Sequence, residues 1–193
     1  ERIDGLRDEF ATRLSEDRPI PFQIDTANGR RDFLLDSPAI CASDFWVDAR
    51  AKRDAGADGV RVRVTSGLID HVLDDDELAA VVAHEMAHSL LDHRPLIEAT
   101  KRGKTKVIKA TEAEADRLSV WLMANAGYDP EAAITFWQRY GKATGLGIFS
   151  APTHYRWQTR VAMLREEIGL MVRSSVNEGQ RDPPLLAARR AKQ

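Results

Sequence analysis

Asp74-Asp75-Asp76-Glu77-Leu78-Ala79-Ala80-Val81-Val82-Ala83-His84-Glu85-Met86-Ala87-His88-Ser89-Leu90-Leu91-Asp92 is the stretch on which the fold turns. Asp74, followed three residues later by Glu77 and then by an apolar run, is the signature of a capped helix N-terminus. Pro95 predicts a stop at about Asp92. Inside this helix, His84-Glu85-Met86-Ala87-His88 reads H-E-x-x-H. Four residues is close to one turn, so both imidazoles project from one face and can hold a single Zn²⁺. Glu85 sits about a quarter-turn round, where its carboxylate can take the proton of a water polarised by that metal. By chance the pattern arises in roughly one such chain per hundred.

Two histidines leave zinc short of a third protein ligand. A further His six residues past His88 would complete a metzincin set, but Arg94 stands there, and Leu91 stands where that motif needs Gly. His93, five past His88, falls about 140° round a continuing helix and is given a structural role. A carboxylate from the next helix is the alternative. Glu112-Ala113-Glu114-Ala115-Asp116 places Glu112 and Asp116 four apart on one face. Glu112 is then the candidate zinc ligand, and Asp116 the acceptor for the free ring N–H of a His ligand. Glu114 points elsewhere and is expected to face solvent. Taken alone, this segment is an ordinary charged helix start; only its partnership with H-E-x-x-H favours a metal site.

The rest of the chain is consistent with one such site. It has 193 residues, 43% of them hydrophobic, enough for one compact domain with a sizeable core. Residues 1–172 are read as that domain, and 173–193, with Pro183-Pro184, as a polar tail expected to pack poorly. A formal net charge of −2 gives no reason to expect a nucleic-acid partner. A single cysteine, Cys41, excludes an intrachain disulfide framework and is read as a small buried hydrophobe. No apolar run approaches the roughly 18 residues of a membrane span. The sequence opens on Glu1 rather than Met, so something upstream is expected to have been trimmed or processed, and there is room there for a signal peptide, lipid attachment site or membrane helix that this sequence would not show.

Periodicity predicts a helix through Ile3, Leu6, Phe10 and Leu14, a strand at Ile20–Ile24, and an extended segment from Asp32 to Ile40. Asp48 to Gly59 reads as a solvated loop, and Val60, Val62 and Val64 as a strand with one wet face, closed by Ser66-Gly67. Arg94 to Lys109 carries six basic residues and reads as a mobile solvated loop, or in a minority reading as a lid or docking surface. Helices follow from Thr111 to Gly127, from Asp129-Pro130 with Ile134, Trp137 and Tyr140 as the buried stripe, and from Thr153 to Gly169. The four Trp residues, Trp46 among them, are assigned to packing.

With His93 following H-E-x-x-H, and Glu112-x-Glu114-Ala115-Asp116 after it, the chain resembles the HtpX and CAAX-prenyl-endopeptidase family of zinc metallopeptidases, which are gluzincins. Val64-Thr65-Ser66-Gly67-Leu68 and Asp76 to Ala83 extend the likeness, which spans roughly Pro21 to Arg165. Family members carry Thr-His-Pro downstream, with an Arg six residues after the His. Thr153, His154 and Arg160 keep that spacing, while Tyr155 replaces the Pro and Cys41-Ala42 replaces an Asn-Ala.

The resemblance implies that His154 and Arg160 hydrogen-bond the oxyanion or the substrate carbonyl, a role that attack on an amide requires of fixed donors. The expected fold is α+β: a zincin-like domain, mainly helical with a small twisted sheet. The expected activity is zinc-dependent endopeptidase action on proteins or extended peptides, with one Zn²⁺ per chain. By the same resemblance it works in membrane-associated or envelope protein quality control, in the periplasm or cell envelope, with membrane association supplied by a missing upstream segment. The alternative is a latent or non-catalytic zincin-like module that binds metal or protein.

Overall fold

The structure, a computed structural model, describes residues 20–26, 29–35, 44–143, 155–177 and 179–191. The helix expected at Ile3–Leu14, the reading of Cys41, and Thr153-His154 lie outside these residues. Contacts divide the chain into residues 1–42 and 43–193. In the first unit β1 (Ile20–Thr26) and β2 (Gly29–Leu35) form an antiparallel hairpin in which Ile20 opposes Leu35 and Thr26 opposes Gly29.

The second unit begins with a three-stranded sheet of β3 (Asp44–Asp48), β4 (Ala55–Ala57) and β5 (Arg61–Thr65) in the order β3-β5-β4. β5 runs parallel to β3 and antiparallel to β4. As the alternation predicts, Val62 and Val64 are buried while Arg61 is exposed. The loop expected over Asp48–Gly59 therefore contains the end of one strand and the whole of another. Ala-Gly-Ala has little β-propensity of its own, and β4 forms because β5 offers it a ladder. The segment leading into it is pinned by Thr65, which is fully buried. Thr65 donates its N–H to the Asp54 carbonyl at 3.0 Å and accepts from the Asp54 N–H through Oγ1 at 3.0 Å. Trp46 was assigned to packing, but it lies exposed on β3 between Phe45 and Val47, both exposed as well.

Ser66-Gly67 opens a short helix, α1 (Ser66–Ile69), rather than closing the strand. The quoted stretch then forms α2 (Asp75–Leu90), capped as expected by Asp74, whose carboxylate accepts from the Glu77 N–H at 2.9 Å. Asp75, Asp76 and Glu77 place three acids against the positive end of the helix dipole. The helix ends at Leu90, and Asp92 takes a left-handed backbone (φ 46°) that starts α3 (His93–Ala99) in a new direction. The basic segment is thus largely helical: α3 covers its start, α4 (Lys104–Asn125) begins at Lys104, and only the short loop 100–103, with Lys101 and Arg102, stays as expected.

α5 (Glu131–Ala143) and α6 (Trp157–Arg173) complete the layer against α2 and α4. Ala80, Ala83 and Ala87 of α2 and Ala115 of α4 are buried in one cluster with Leu118, Trp121, Leu164 and Ile168. Four small residues at that crossing let the two helices approach closely enough for side chains from both to meet at one point. A second cluster joins Val62, Val64 and Leu68 to Val81 and Phe136, and so seats the sheet on α2 and α5. Buried Glu77 pairs with Arg139 of α5, and Arg139 also donates to the His71 carbonyl at 2.8 Å. α5 and α6 nearly touch at Gly141, where a Cβ would fall 2.5 Å from the Cβ of Trp157. Beyond Arg173, where the sequence reads as a polar tail, α7 (Pro184–Arg190) lays Leu185 and Leu186 against the main core cluster. Among the described residues no helix is long and apolar enough to cross a membrane. The architecture is the α+β zincin-like one, mainly helical with a small sheet.

Candidate metal centre

His84 and His88 stand one turn apart on α2, and Glu112 reaches them from α4. The two Nε2 atoms are 3.3 Å apart. Glu112 Oε2 lies 3.4 Å from His84 Nε2, and Oε1 lies 3.4 Å from His88 Nε2. A tetrahedral ion with bonds of about 2.05 Å holds its ligand atoms about 3.3 Å apart, so the two imidazoles and the Glu112 carboxylate, with one oxygen turned to each, are spaced as a zinc site requires. Among the described residues they are the one cluster of metal-ligating groups this close.

The charges agree with the spacing. Burial works against a charge on His84, but the carboxylates of Asp116 and Glu112 outweigh it and raise the imidazole to about 10. His88 falls to about 3, because burial and the neighbouring His84 both disfavour its protonation. Burial opposes ionisation of Glu112, and His84 overcomes it and brings the carboxyl down to about 2. Glu112 therefore keeps its negative charge where the two Nε2 atoms meet, and Asp116 adds a second behind His84, a setting that favours a cation. Glu85 lines the same cavity of about 620 Å³. Burial, with Glu112 adding to it and His84 opposing, raises the Glu85 carboxyl above the ordinary value, as suits a base that must take up a proton and return it.

Asp116 is fully enclosed behind His84, with Oδ1 3.0 Å from His84 Nδ1, close enough for a charge contact though off the line of a ring N–H hydrogen bond. The same carboxylate receives both arms of Arg160, Nε to Oδ2 at 2.7 Å and Nη2 to Oδ1 at 2.5 Å. Arg160 is itself buried, and its guanidinium lies 3.3 Å above the ring of Trp137. The oxyanion role expected of Arg160 thus meets a guanidinium that faces the cavity but spends two of its nitrogens on Asp116. Its position three residues into α6 brings it to the Asp116 carboxylate at the edge of the cavity.

The structure also joins two residues that the sequence reading kept apart from the site. His93 Nδ1 lies 3.0 Å from His88 Nδ1, and His93 Nε2 lies 3.1 Å from Glu114 Oε2. One set of tautomers satisfies both contacts of His93 and leaves the His88 Nε2 lone pair for a metal: His88 donates from Nδ1, His93 accepts at Nδ1, and His93 donates from Nε2 to Glu114. On a continuing helix His93 would lie about 140° from His88, but the left-handed turn at Asp92 brings it back against His88. Glu114, expected to face solvent, is 44% exposed and keeps one oxygen on His93. A His at the start of a new helix just past H-E-x-x-H was the signal for this contact, but the left-handed turn that makes it is not encoded in the spacing.

The comparisons with known proteins fall on this same part of the chain. Residues 47–103 and 94–168 match the model of peptidase family M48. The mitochondrial metalloendopeptidase OMA1 of Arabidopsis thaliana is 27% identical over 62% of this chain and 31% of its own length. That of Schizosaccharomyces pombe is 28% identical over 56% of this chain and 41% of its own. The chain spans less than half the length of either relative.

Proposed function

Because the chain belongs to peptidase family M48, we propose that it is a zinc metalloendopeptidase of the gluzincin type, hydrolysing peptide bonds within proteins or extended peptides. The observation that carries this reading is the meeting of His84 Nε2, His88 Nε2 and the Glu112 carboxylate in one cluster, with Glu85 on the same cavity lining. His84, His88 and Glu112 would hold the zinc ion, which when bound would supply Lewis acidity for a carbonyl and a water pKa of about 7.

The chain's own residues do the rest. Glu85 takes the proton of the attacking water and returns it to the leaving amine. Asp116, locked by Arg160, holds His84 in orientation, and Glu114 does the same for His88 through His93. Arg160 is in this reading a positioning residue, while His154 keeps the oxyanion role that the resemblance implies. The small side chains of Ala55, Gly56 and Ala57 along the cavity leave room for an extended peptide beside β4. The family relationship supports a place in the quality control of membrane-associated or envelope proteins.

Glu85→Gln tests the mechanism. It is expected to retain about one equivalent of zinc and the parent melting temperature while casein digestion falls to background. Digestion at the parent rate would overturn the assignment.

A further inference from the structure

We propose that the cleft wall at the junction of α3 and α4 receives acidic side chains, so that protein segments with Asp or Glu beside the scissile bond are the preferred substrates; this rests on the peptidase reading above. Residues 100–110 read Thr-Lys-Arg-Gly-Lys-Thr-Lys-Val-Ile-Lys-Ala, five cations and no acid, in a chain whose formal net charge is −2. The positive charge is therefore local.

Its location matters. Lys104 lines the same cavity as His84, Glu85, His88 and Glu112. Its neighbours on that wall, Arg94 and Glu98, pair with each other at 2.9 Å and cancel. Lys101, Arg102, Lys104 and Lys106 are exposed, and among the described residues no carboxylate pairs with them. Lys109 is turned aside over the ring of Tyr155, 4.7 Å away. Elsewhere on the lining, the Asp54 carboxylate is taken by Arg63 at 3.1 Å, and Ala55 to Ala57 carry no charge. Outside the metal cluster, the charge left unpaired on this lining is positive: Lys104 carries it into the cavity, and exposed Lys101, Arg102 and Lys106 stand beside it in the chain; a cleft with low-dielectric walls concentrates such a field on whatever enters it.

These cations do not serve the helix they stand on. The first turn of α4 holds no acid and no side-chain cap, while Lys104 and Lys106 set positive charge beside the positive end of the helix dipole. α2 shows the opposite arrangement, with Asp75, Asp76 and Glu77 at that end. An anionic partner resolves the conflict. A peptide side chain suits the position better than a lipid surface, because Lys104 sits on the wall of a concave site that a flat bilayer does not enter.

The test uses three fluorogenic peptides with one common core and acidic, neutral or basic flanks. Cleavage by the zinc-loaded wild type is measured, together with anisotropy binding to Glu85→Gln. Each exposed pair is worth little, so kcat/KM for the acidic peptide is expected to exceed the neutral one by about five- to tenfold at low salt. The difference should collapse near 1 M NaCl, where the screening length is about 3 Å. The triple variant Lys101→Glu, Arg102→Glu, Lys104→Glu, with its fold verified by melting temperature and zinc content, is expected to reverse the order in favour of the basic peptide. Equal cleavage and equal binding of all three peptides overturns the inference and leaves the peptidase standing. Acidic preference in binding without any cleavage sustains the inference and overturns the peptidase. If the triple variant instead loses only its binding to phosphatidylglycerol vesicles, the surface faces lipid and the inference fails.

Discussion

His84 and His88 are equivalent in the motif and sit one turn apart on α2, yet what stands behind them differs in kind. Behind His84 is a carboxylate clamped by a guanidinium, Asp116 and Arg160, both buried and drawn from α4 and α6. Behind His88 is a second imidazole, His93, which hands the contact on to the half-exposed Glu114. The first support carries full charges in a dry place, so it holds tightly and fails abruptly when one member goes. The second passes a neutral hydrogen bond to a wet carboxylate, so each link can be weakened without stranding a charge. Two like ligands can therefore be held by one rigid and one yielding arrangement.

The sharpest way to break the contrast is Asp116→Asn. It leaves Arg160 buried without its counter-charge, and removing one member of such a pair costs about 3–5 kcal/mol, or roughly 10 °C in melting temperature for a chain of this size. Zinc affinity should fall by about 10–100-fold in the same variant. Calorimetry and a chelator-competition titration check the two effects. An unchanged melting temperature would remove the distinction between the supports.

On the other side, His93→Leu is expected to weaken zinc binding about tenfold, with His93→Gln recovering most of it because the amide oxygen can still accept from His88. The same titration decides this. Equal affinity in His93→Leu would make His93 a packing residue. The smallest effect belongs to Glu114→Gln: about two- to threefold in zinc affinity and no measurable change in stability, since exposed pairs are worth well under 1 kcal/mol on average. A loss as large as that of Asp116→Asn would show that both supports depend on charge.

How much of this could be read beforehand follows from how local each cause is. The capped helix, the i,i+4 imidazoles, and the Glu112 and Asp116 pair depend on spacing within one helix, and each sits where the spacing put it. β4 was invisible because Ala55-Gly56-Ala57 acquires its strand from β5. α3 was hidden by its charge and by Pro95, which fits the first turn of a helix as well as it ends one. Arg160 was placed correctly in sequence, but its partner lies 44 residues away. His93 depended on a single left-handed residue, Asp92, that no periodicity reports.

Gly141 stands outside this chemistry, but the packing at that point bears on how damage to the protein would be interpreted. Any side chain there drives into Trp157, at the head of the helix that delivers Arg160 one turn later. A collection of inactivating mutations would therefore include this position among the essential ones, although no substrate, metal or proton ever meets it. Assays of abundance beside assays of turnover would separate the two causes. A change at Gly141 is expected to lower both together, whereas Glu85→Gln lowers turnover and spares abundance.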